Sequence, residues 1–296
     1  MELRELRFFV EVVRKGGFSA AARALGSTQS TISKAIRQLE HDCGGPLLDR
    51  LPQGVKPTSA GEVLLQRAKT MLSEQERLEA ELDALRGLET GWLRLGVPPI
   101  GSGMLFAPLI AKFRERYPGV RVELREEGSR RLEAAVQSGE IEIGASLLPI
   151  AEAFSWQAVC DEPMMAVLPI RHALARRERL KLSELAGSPC IFFEHGFALN
   201  SVIAAACRRR GIELVETARS GQPEFILALV AAGLGTALFP RLMVTSRSLP
   251  GVKPVLIEDK DLRWNLGLIW RRGSPLSPPA QRWLQLVGET FPARLR

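Results

Sequence analysis

The sequence predicts an α/β protein preceded by an all-α segment, and three observations carry that expectation. From Gly91 onward, strand-like apolar runs alternate with helical stretches. Residues 59–88 form one long run of helical period. Ahead of them, three short helical stretches are separated by glycine-bearing turns. At 296 residues the chain has the length of about two average domains. With 46% hydrophobic and 25% charged residues it reads as globular, which excludes disordered and fibrous classes. The net charge of +7 permits a nucleic-acid partner without requiring one, because net charge bears on association rather than fold.

Within the first segment, Leu6, Phe9, Val10 and Val13 recur at helical spacing until Gly16 and Gly17 end the pattern. Ser19 offers an N-cap for the small-residue run AAARAL, closing at Gly26, and Thr28 caps a third helix with Ile32, Ile36 and Leu39 on one face. Two helices joined by so tight a turn must cross closely. That needs a small residue on the first (Ala22), favours glycine at the turn (Gly26) and needs an apolar residue to lock the second (Ile32). This is the spacing of a DNA-binding helix-turn-helix.

The other face of the third helix carries Gln29, Ser30, Thr31, Ser33, Lys34 and Arg37, with amides and hydroxyls suited to base edges and cations suited to phosphate. Alone, such a stripe reads equally well as a solvated helix face. Downstream residues decide between the two. Gly44-Gly45-Pro46 breaks the helix, and LLDR followed by RLPQGVKPT predicts a short hairpin with a Pro-Gln-Gly tip. A basic hairpin beside a recognition helix is a wing for the DNA backbone, with Arg50 and Lys56 as its phosphate contacts.

Over LRFFVEVVRKGGFSAAARALGSTQSTISKAIRQLE, then GGPLLDR, then TSAG, the chain resembles the LysR-type transcriptional regulators, and the resemblance extends along its whole length. Cys43 and Leu48 stand where that family usually has Leu and Phe, Ser27 where Val is common, and Pro57 where an apolar residue is usual. These are packing positions, so they leave the DNA-binding expectation intact.

Ser59 and Glu62 form an S-x-x-E capping box for a helix expected to reach about Leu88. Along it Leu64, Ala68, Met71, Gln75, Leu78, Leu82 and Leu85 alternate four and three apart, flanked by Glu74, Arg77, Glu79, Glu81 and Arg86. A seam so narrow between charged flanks suits a partner helix, and Leu64, Met71, Leu78, Leu82 and Leu85 are its expected dimer contacts. Two-fold pairing would set two winged units on half-sites spaced by helical turns of ~10 bp.

Beyond Gly91 the strands GWLRLGVPP, VRVELREE, IEIGASLLP, MMAVLP, PCIFF and IELVETARS alternate with helices, which predicts largely parallel sheets. In such sheets ligands bind beyond the carboxyl ends of strands, where helix N-termini offer free N–H groups. Corners of that kind stand at Pro99, Ile100, Gly101 and Ser102, at His195, Gly196 and Phe197, and at Ser220 and Gly221. Leu148 closes the set. Ser102 reads equally as a plain helix cap or as a donor to a ligand carboxylate. For His195 a loop histidine held by its neighbours is the commoner outcome, and for Phe197 and Leu148 a place in the core. No corner carries an arginine clamp, so a small monoanion or a neutral molecule is the expected ligand.

The family resemblance implies a winged helix-turn-helix over residues 1–58, a linker helix over 59–89 and an effector-binding domain over 90–296. That last domain would have the two-subdomain, periplasmic-binding-protein-like (type 2) fold, with residues 92–162 and 266–296 in one subdomain and 163–265 in the other. It further implies a dimer of dimers, double-stranded promoter or operator DNA and RNA polymerase as partners, and a small-molecule effector in place of a cofactor. The segments GVPPIGSGMLFAP, FFEHGFALN and ARSGQPEFI resemble a subgroup tied to acetate and overflow metabolism or to cell-wall hydrolase operons, which favours a small carboxylate.

Other classes fit less well. An enzyme would need a nucleophile motif such as GxSxG or a completed dinucleotide fingerprint, and neither Gly101-x-Gly103 nor Gly233-x-Gly235 completes one. A transport binding protein would need export, and MELRELRFFVEVVRKG lacks the apolar core of a signal. A DNA-packaging protein would have no use for the long α/β portion. Cys43, Cys160, Cys190 and Cys207 form no CxxC pair, so reduced thiols in a cytoplasm are expected and neither a metal site nor a membrane span.

Overall fold

Helix α1 (Leu3–Lys15) forms where Leu6, Phe9 and Val12 share a buried face, and it stops where Gly16 enters the left-handed region at φ 69°. The N–H groups of Gly16 and Gly17 then return to the carbonyls of Val13 and Val12, closing the helix end. Helix α2 (Phe18–Ala24) is capped by Gly17. The expected cap, Ser19, sits inside the first turn, because the helix restarts as soon as the glycine pair ends. Its hydroxyl donates to Gln29 Oε1 at 3.3 Å. Helix α3 (Gln29–Asp42) begins as expected at Thr28, whose Oγ1 accepts the Thr31 N–H at 3.2 Å.

This computed structural model describes residues 1–51, 54–86, 89–245 and 250–291, with the backbone alone for Arg50, Ala84 and Leu85. The chain divides into two units, Met1–Gly91 with Ser138–Glu140, and Trp92–Gln137 with Ile141–Arg296. In the first unit, strands β1 (Leu48–Leu51) and β2 (Gly54–Pro57) pair antiparallel, setting Asp49 opposite Lys56. The Val55 N–H donates to the Gly16 carbonyl at 3.1 Å, which ties the hairpin to the end of α1. Gly54 has φ 136°, and a Cβ there would lie 2.5 Å from that same oxygen.

Helix α4 (Ser59–Leu85) is capped by Thr58, whose Oγ1 accepts the Gly61 N–H at 3.0 Å. The cap expected at Ser59 is therefore displaced by one residue, and the reciprocal bond of a capping box is lost because Gly61 has no side chain to make it. A Cβ on Gly61 would lie 2.0 Å from the Leu47 carbonyl oxygen, so the helix start rests on the backbone before β1 and only glycine fits. Leu64, Leu65 and Ala68 pack into the core built on Leu6, Phe9 and Ile36. The seam read from the sequence thus divides. Its first two positions are spent inside the unit, whereas Met71, Leu78 and Leu82 are 44%, 55% and 45% exposed.

The second unit opens with β3 (Gly91–Val97), α5 (Ser102–Arg116), β4 (Val120–Glu126), α6 (Ser129–Ser138) and β5 (Gly144–Leu147). It continues through β6 (Phe154–Pro169), β7 (Arg179–Leu180), β8 (Pro189–Phe193), α7 (Ala198–Arg210), β9 (Val215–Ser220) and α8 (Pro223–Ala231). It closes with β10 (Ala237–Pro240), α9 (Arg241–Thr245), β11 (Val252–Ile257), β12 (Arg263–Arg271) and α10 (Pro278–Thr290).

The main sheet runs β5-β12-β6-β11-β7, with β10 also on β6. Strands β12, β10 and β11 all pair antiparallel with β6, and parallel pairing is found at β11–β7 and β8–β9. The expectation of largely parallel sheets is thereby corrected to a mixed architecture. Its source is β6, of which the sequence shows only the apolar half, MMAVLP. The first half pairs with β12 and has one face toward solvent, so its polar residues hide a strand that is continuous. Trp264, Trp283, Phe106, Phe113 and Phe193 fill the core, with Phe113 and Trp283 edge-on at 5.5 Å.

Candidate functional site

On α3, Gln29, Ser30, Thr31, Lys34 and Arg37 are exposed and Ser33 is half-buried. The buried stripe Ile32, Ile36 and Leu39 on the opposite side fixes that orientation. Part of the stripe's hydrogen-bonding capacity is used locally, since Ser30 and Thr31 hydroxyls lie 3.0 and 2.8 Å from Thr28 Oγ1. Among the described residues neither Lys34 nor Arg37 has an ion-pair or hydrogen-bond partner, and both cations are therefore available to phosphate. Lys56 is exposed on β2. The Arg50 side chain and the Pro52-Gln53 tip lie outside the described residues, as does the side chain of Leu85 in the helix seam.

The ten residues expected to bind an effector do not line a single pocket. Pro99, Gly101, Ser102 and Gly221 line an open hollow of about 360 Å³, which Glu126 and Glu224 share. Ile100 and Phe197 line a much smaller cavity, of about 10 Å³, with Ser129, Leu147, Trp264 and Leu266. His195, Gly196 and again Phe197 face an outer groove alongside Arg130 and Arg219. Leu148 and Ser220 line none of these three. Ser220 is buried, and its hydroxyl accepts the Gln222 N–H at 3.0 Å.

Local chemistry refines each expectation. Ser102 is the first residue of α5, with Gly101 as the cap, and its hydroxyl donates to Glu126 Oε1 at 3.1 Å. A carboxylate of the chain itself therefore occupies the position expected for a ligand's. The His195 loop is held from below by Asn200, whose Nδ2 donates to the Phe193 and Glu194 carbonyls at 2.9 and 3.0 Å. Phe197 stacks on Phe193 with centroids 5.3 Å apart. In the outer groove, the hydrogen bond from Arg219 holds the Glu216 carboxyl below its ordinary range.

Ser129 was not among the residues the sequence pointed to. It opens α6, is 5% exposed, and its hydroxyl has no hydrogen-bond partner among the described residues. The Arg131 and Leu132 N–H groups return to the Gly128 carbonyl, which leaves the Ser129 and Arg130 N–H groups with no acceptor there. A Cβ on Gly128 would lie 2.8 Å from the Gly196 carbonyl oxygen, so glycine is what lets the loops after β4 and β8 meet. The signal for Ser129 was a Gly-Ser pair between a strand and a helix. Trp264 gave no signal, because it reaches the cavity from β12, far along the chain. A hydroxyl and N–H groups without partners at a helix start suit an anion.

Two family profiles match the chain, "Bacterial regulatory helix-turn-helix protein, lysR family" over residues 3–62 and "LysR substrate binding domain" over residues 86–292. The chain belongs to the LysR family. It is a DNA-binding transcriptional regulator with an effector-binding domain, as the resemblance implied. Among LysR-family relatives, the HTH-type transcriptional regulator YwbI of Bacillus subtilis is 34% identical over 96% of this chain and 95% of its own. The regulator BudR of Raoultella terrigena is 33% identical over 92% of this chain and 95% of its own. A full-length OxyR variant from Pseudomonas aeruginosa shares the fold with a TM-score of 0.78 at 22% identity, over 98% of this chain and 94% of that one. No helix among the described residues is long and apolar enough to cross a membrane.

Proposed function

We propose that this LysR-family protein couples a small monocarboxylate, taken beyond the strand ends of the second unit near Ser129, to operator reading by the exposed face of α3. The observation that carries this reading is the Ser129 hydroxyl at the start of α6, which has no hydrogen-bond partner among the described residues. The open hollow suits a carboxylate less well, since Glu126 already holds Ser102 and Glu224 adds a second like charge. On the DNA side, Gln29, Ser30, Thr31 and Ser33 face base edges, and Lys34, Arg37, Arg50 and Lys56 face phosphate.

The division into residues 1–58, 59–89 and 90–296 fits this scheme, with the two halves of β6 joining the subdomains that bracket the cavity. Met71, Leu78 and Leu82 pair two chains, and two such dimers form the regulatory assembly. The ligand acts only through a difference in affinity between two subdomain arrangements. That difference changes wing spacing, DNA bend and contact with RNA polymerase. The protein works in the cytoplasm and catalyses no reaction.

Thermal melts of the full chain with millimolar acetate, propionate and butyrate test the ligand class. Stabilisation of about 1–3 kcal/mol is expected at saturating acid, and Ser129→Ala should lose most of it while keeping its unliganded melting point. No shift with any of these acids overturns the reading.

A further inference from the structure

We propose that Ser19 is a positioning residue for operator reading. It holds the Gln29 amide so that Nε2, and not Oε1, meets the base edge, and this selects guanine over adenine at the base pair under Gln29. The proposal rests on the reading of α3 as the operator-facing helix and adds which end of Gln29 is presented and what fixes it. Ser19 is an exposed residue in the first turn of α2, where it caps nothing, because Gly17 holds the cap position. Its hydroxyl crosses instead to the next helix and donates to Gln29 Oε1 at 3.3 Å. Gln29 is exposed and is the first residue of α3. From that end a recognition helix sends side chains to base edges.

A glutamine amide accepts at one end and donates at the other. With Oε1 held by Ser19, the unspent end is Nε2, which has no acceptor among the described residues. Bidentate reading of adenine needs both ends, Oε1 to accept from N6 and Nε2 to donate to N7. A donor alone meets two acceptors on guanine, N7 and O6, and is opposed by the N4 amino group of cytosine. Contact with the base edge also removes the water that competes for the Ser19–Gln29 bond, so the bond weighs most in the complex. The next two residues are pinned in a similar way, since the Ser30 and Thr31 hydroxyls lie 3.0 and 2.8 Å from Thr28 Oγ1. The start of α3 is thus set before DNA arrives, which reduces the ordering cost of binding.

The test is selection of bound duplexes from a randomised DNA pool by the full chain, followed by titration of single-base variants of the selected site. Gln29→Ala should lose base preference at a single base pair of each half-site, which identifies the pair that Gln29 reads. There the wild type should prefer guanine to adenine by about tenfold. Ser19→Ala frees the amide, so adenine should gain roughly fivefold or more against guanine at that same pair. The slope of log affinity against log salt should not change, because no phosphate contact is touched. Ser19→Thr keeps the hydroxyl and should keep the guanine preference. Alanine suits a helix interior, so Ser19→Ala should melt as the wild type does. Equal base preferences in the wild type and Ser19→Ala overturn the role of Ser19. A wild type that prefers adenine or cytosine overturns it as well, because Oε1 would then face the base. A Gln29→Ala variant with unchanged preference at every position overturns the placement of Gln29 on base edges itself.

Discussion

The exposed face of α3 and a set of helix and strand ends in the second unit treat arginine and lysine in opposite ways. On the exposed face of α3, proposed to read DNA, Lys34 and Arg37 have no partner among the described residues. In the second unit, arginines at helix and strand ends are held by carboxylates: Arg209 by Asp261 at 2.7 Å, Arg210 by Asp259 at 2.6 Å, Arg219 by Glu216, and Arg263 by Asp161. The hydrogen bond from Arg210 pulls the Asp261 carboxyl down to about 2. Residues 1–58 hold nine Lys+Arg against six Asp+Glu and residues 89–296 hold 27 against 21, so most of the excess charge lies outside the DNA-binding segment. Unspent charge, and not net charge, is what the proposed nucleic-acid face offers, because a cation already bonded to a carboxylate releases no counterion from DNA.

The same contrast holds for the exposed helix seam, and the largest effect is expected there. Replacing Leu78 and Leu82 together by Gln should reduce the solution mass by light scattering to that of one chain. Operator affinity should fall about 100-fold or more, because two half-sites are no longer held by linked units. An unchanged mass would remove the seam from the dimer interface. Next in size, Lys34→Ala or Arg37→Ala should weaken operator binding and reduce the slope of log affinity against log salt by about one. Arg263→Ala, the control from the second unit, should leave both unchanged. Equal effects from the two units would erase the distinction drawn between them.

A smaller change falls on stability. Gly61→Ala places a methyl against the Leu47 carbonyl, and the strain should cost the first unit about 1–3 kcal/mol, read as an earlier unfolding of that unit by calorimetry. The least effect on function is expected from thiol labelling. Burial pushes the Cys190 thiol up to about 12, and burial with the nearby Glu162 does the same for Cys160. Cys207 is raised by burial as well, whereas Cys43 is exposed. The thiolate is the reactive form, so N-ethylmaleimide at neutral pH should modify Cys43 first and leave the ligand response intact. Fast labelling of Cys190 or Cys207 in the native protein would show that the second unit opens.

The first unit was largely legible because its rules are local. A glycine ends α1, Thr28 caps α3, and apolar spacing within single helices chose the exposed face, all within a few residues of one another. Where local reading slipped, at Ser19 and Ser59, a neighbouring residue took the cap and the helix moved by a single position. The effector region was legible in its helix starts and not in its cavity. Pro99, Ile100, Gly101, Ser102, His195, Gly196 and Phe197 are at turns as expected, but the structure distributes them over three spaces.

The sequence by itself determined the helix-turn-helix, the wing strands, the long helix and the presence of an α/β second unit. Each follows from periodicity and capping within one segment. Only the tertiary structure decided that β6 is one strand crossing the sheet, that Leu64 and Ala68 belong to the first unit's own core, and that Trp264 closes on Gly101 beside a buried Ser129. These depend on which distant segments are brought together, and hydrophobic pattern specifies that a side chain is buried without specifying against what.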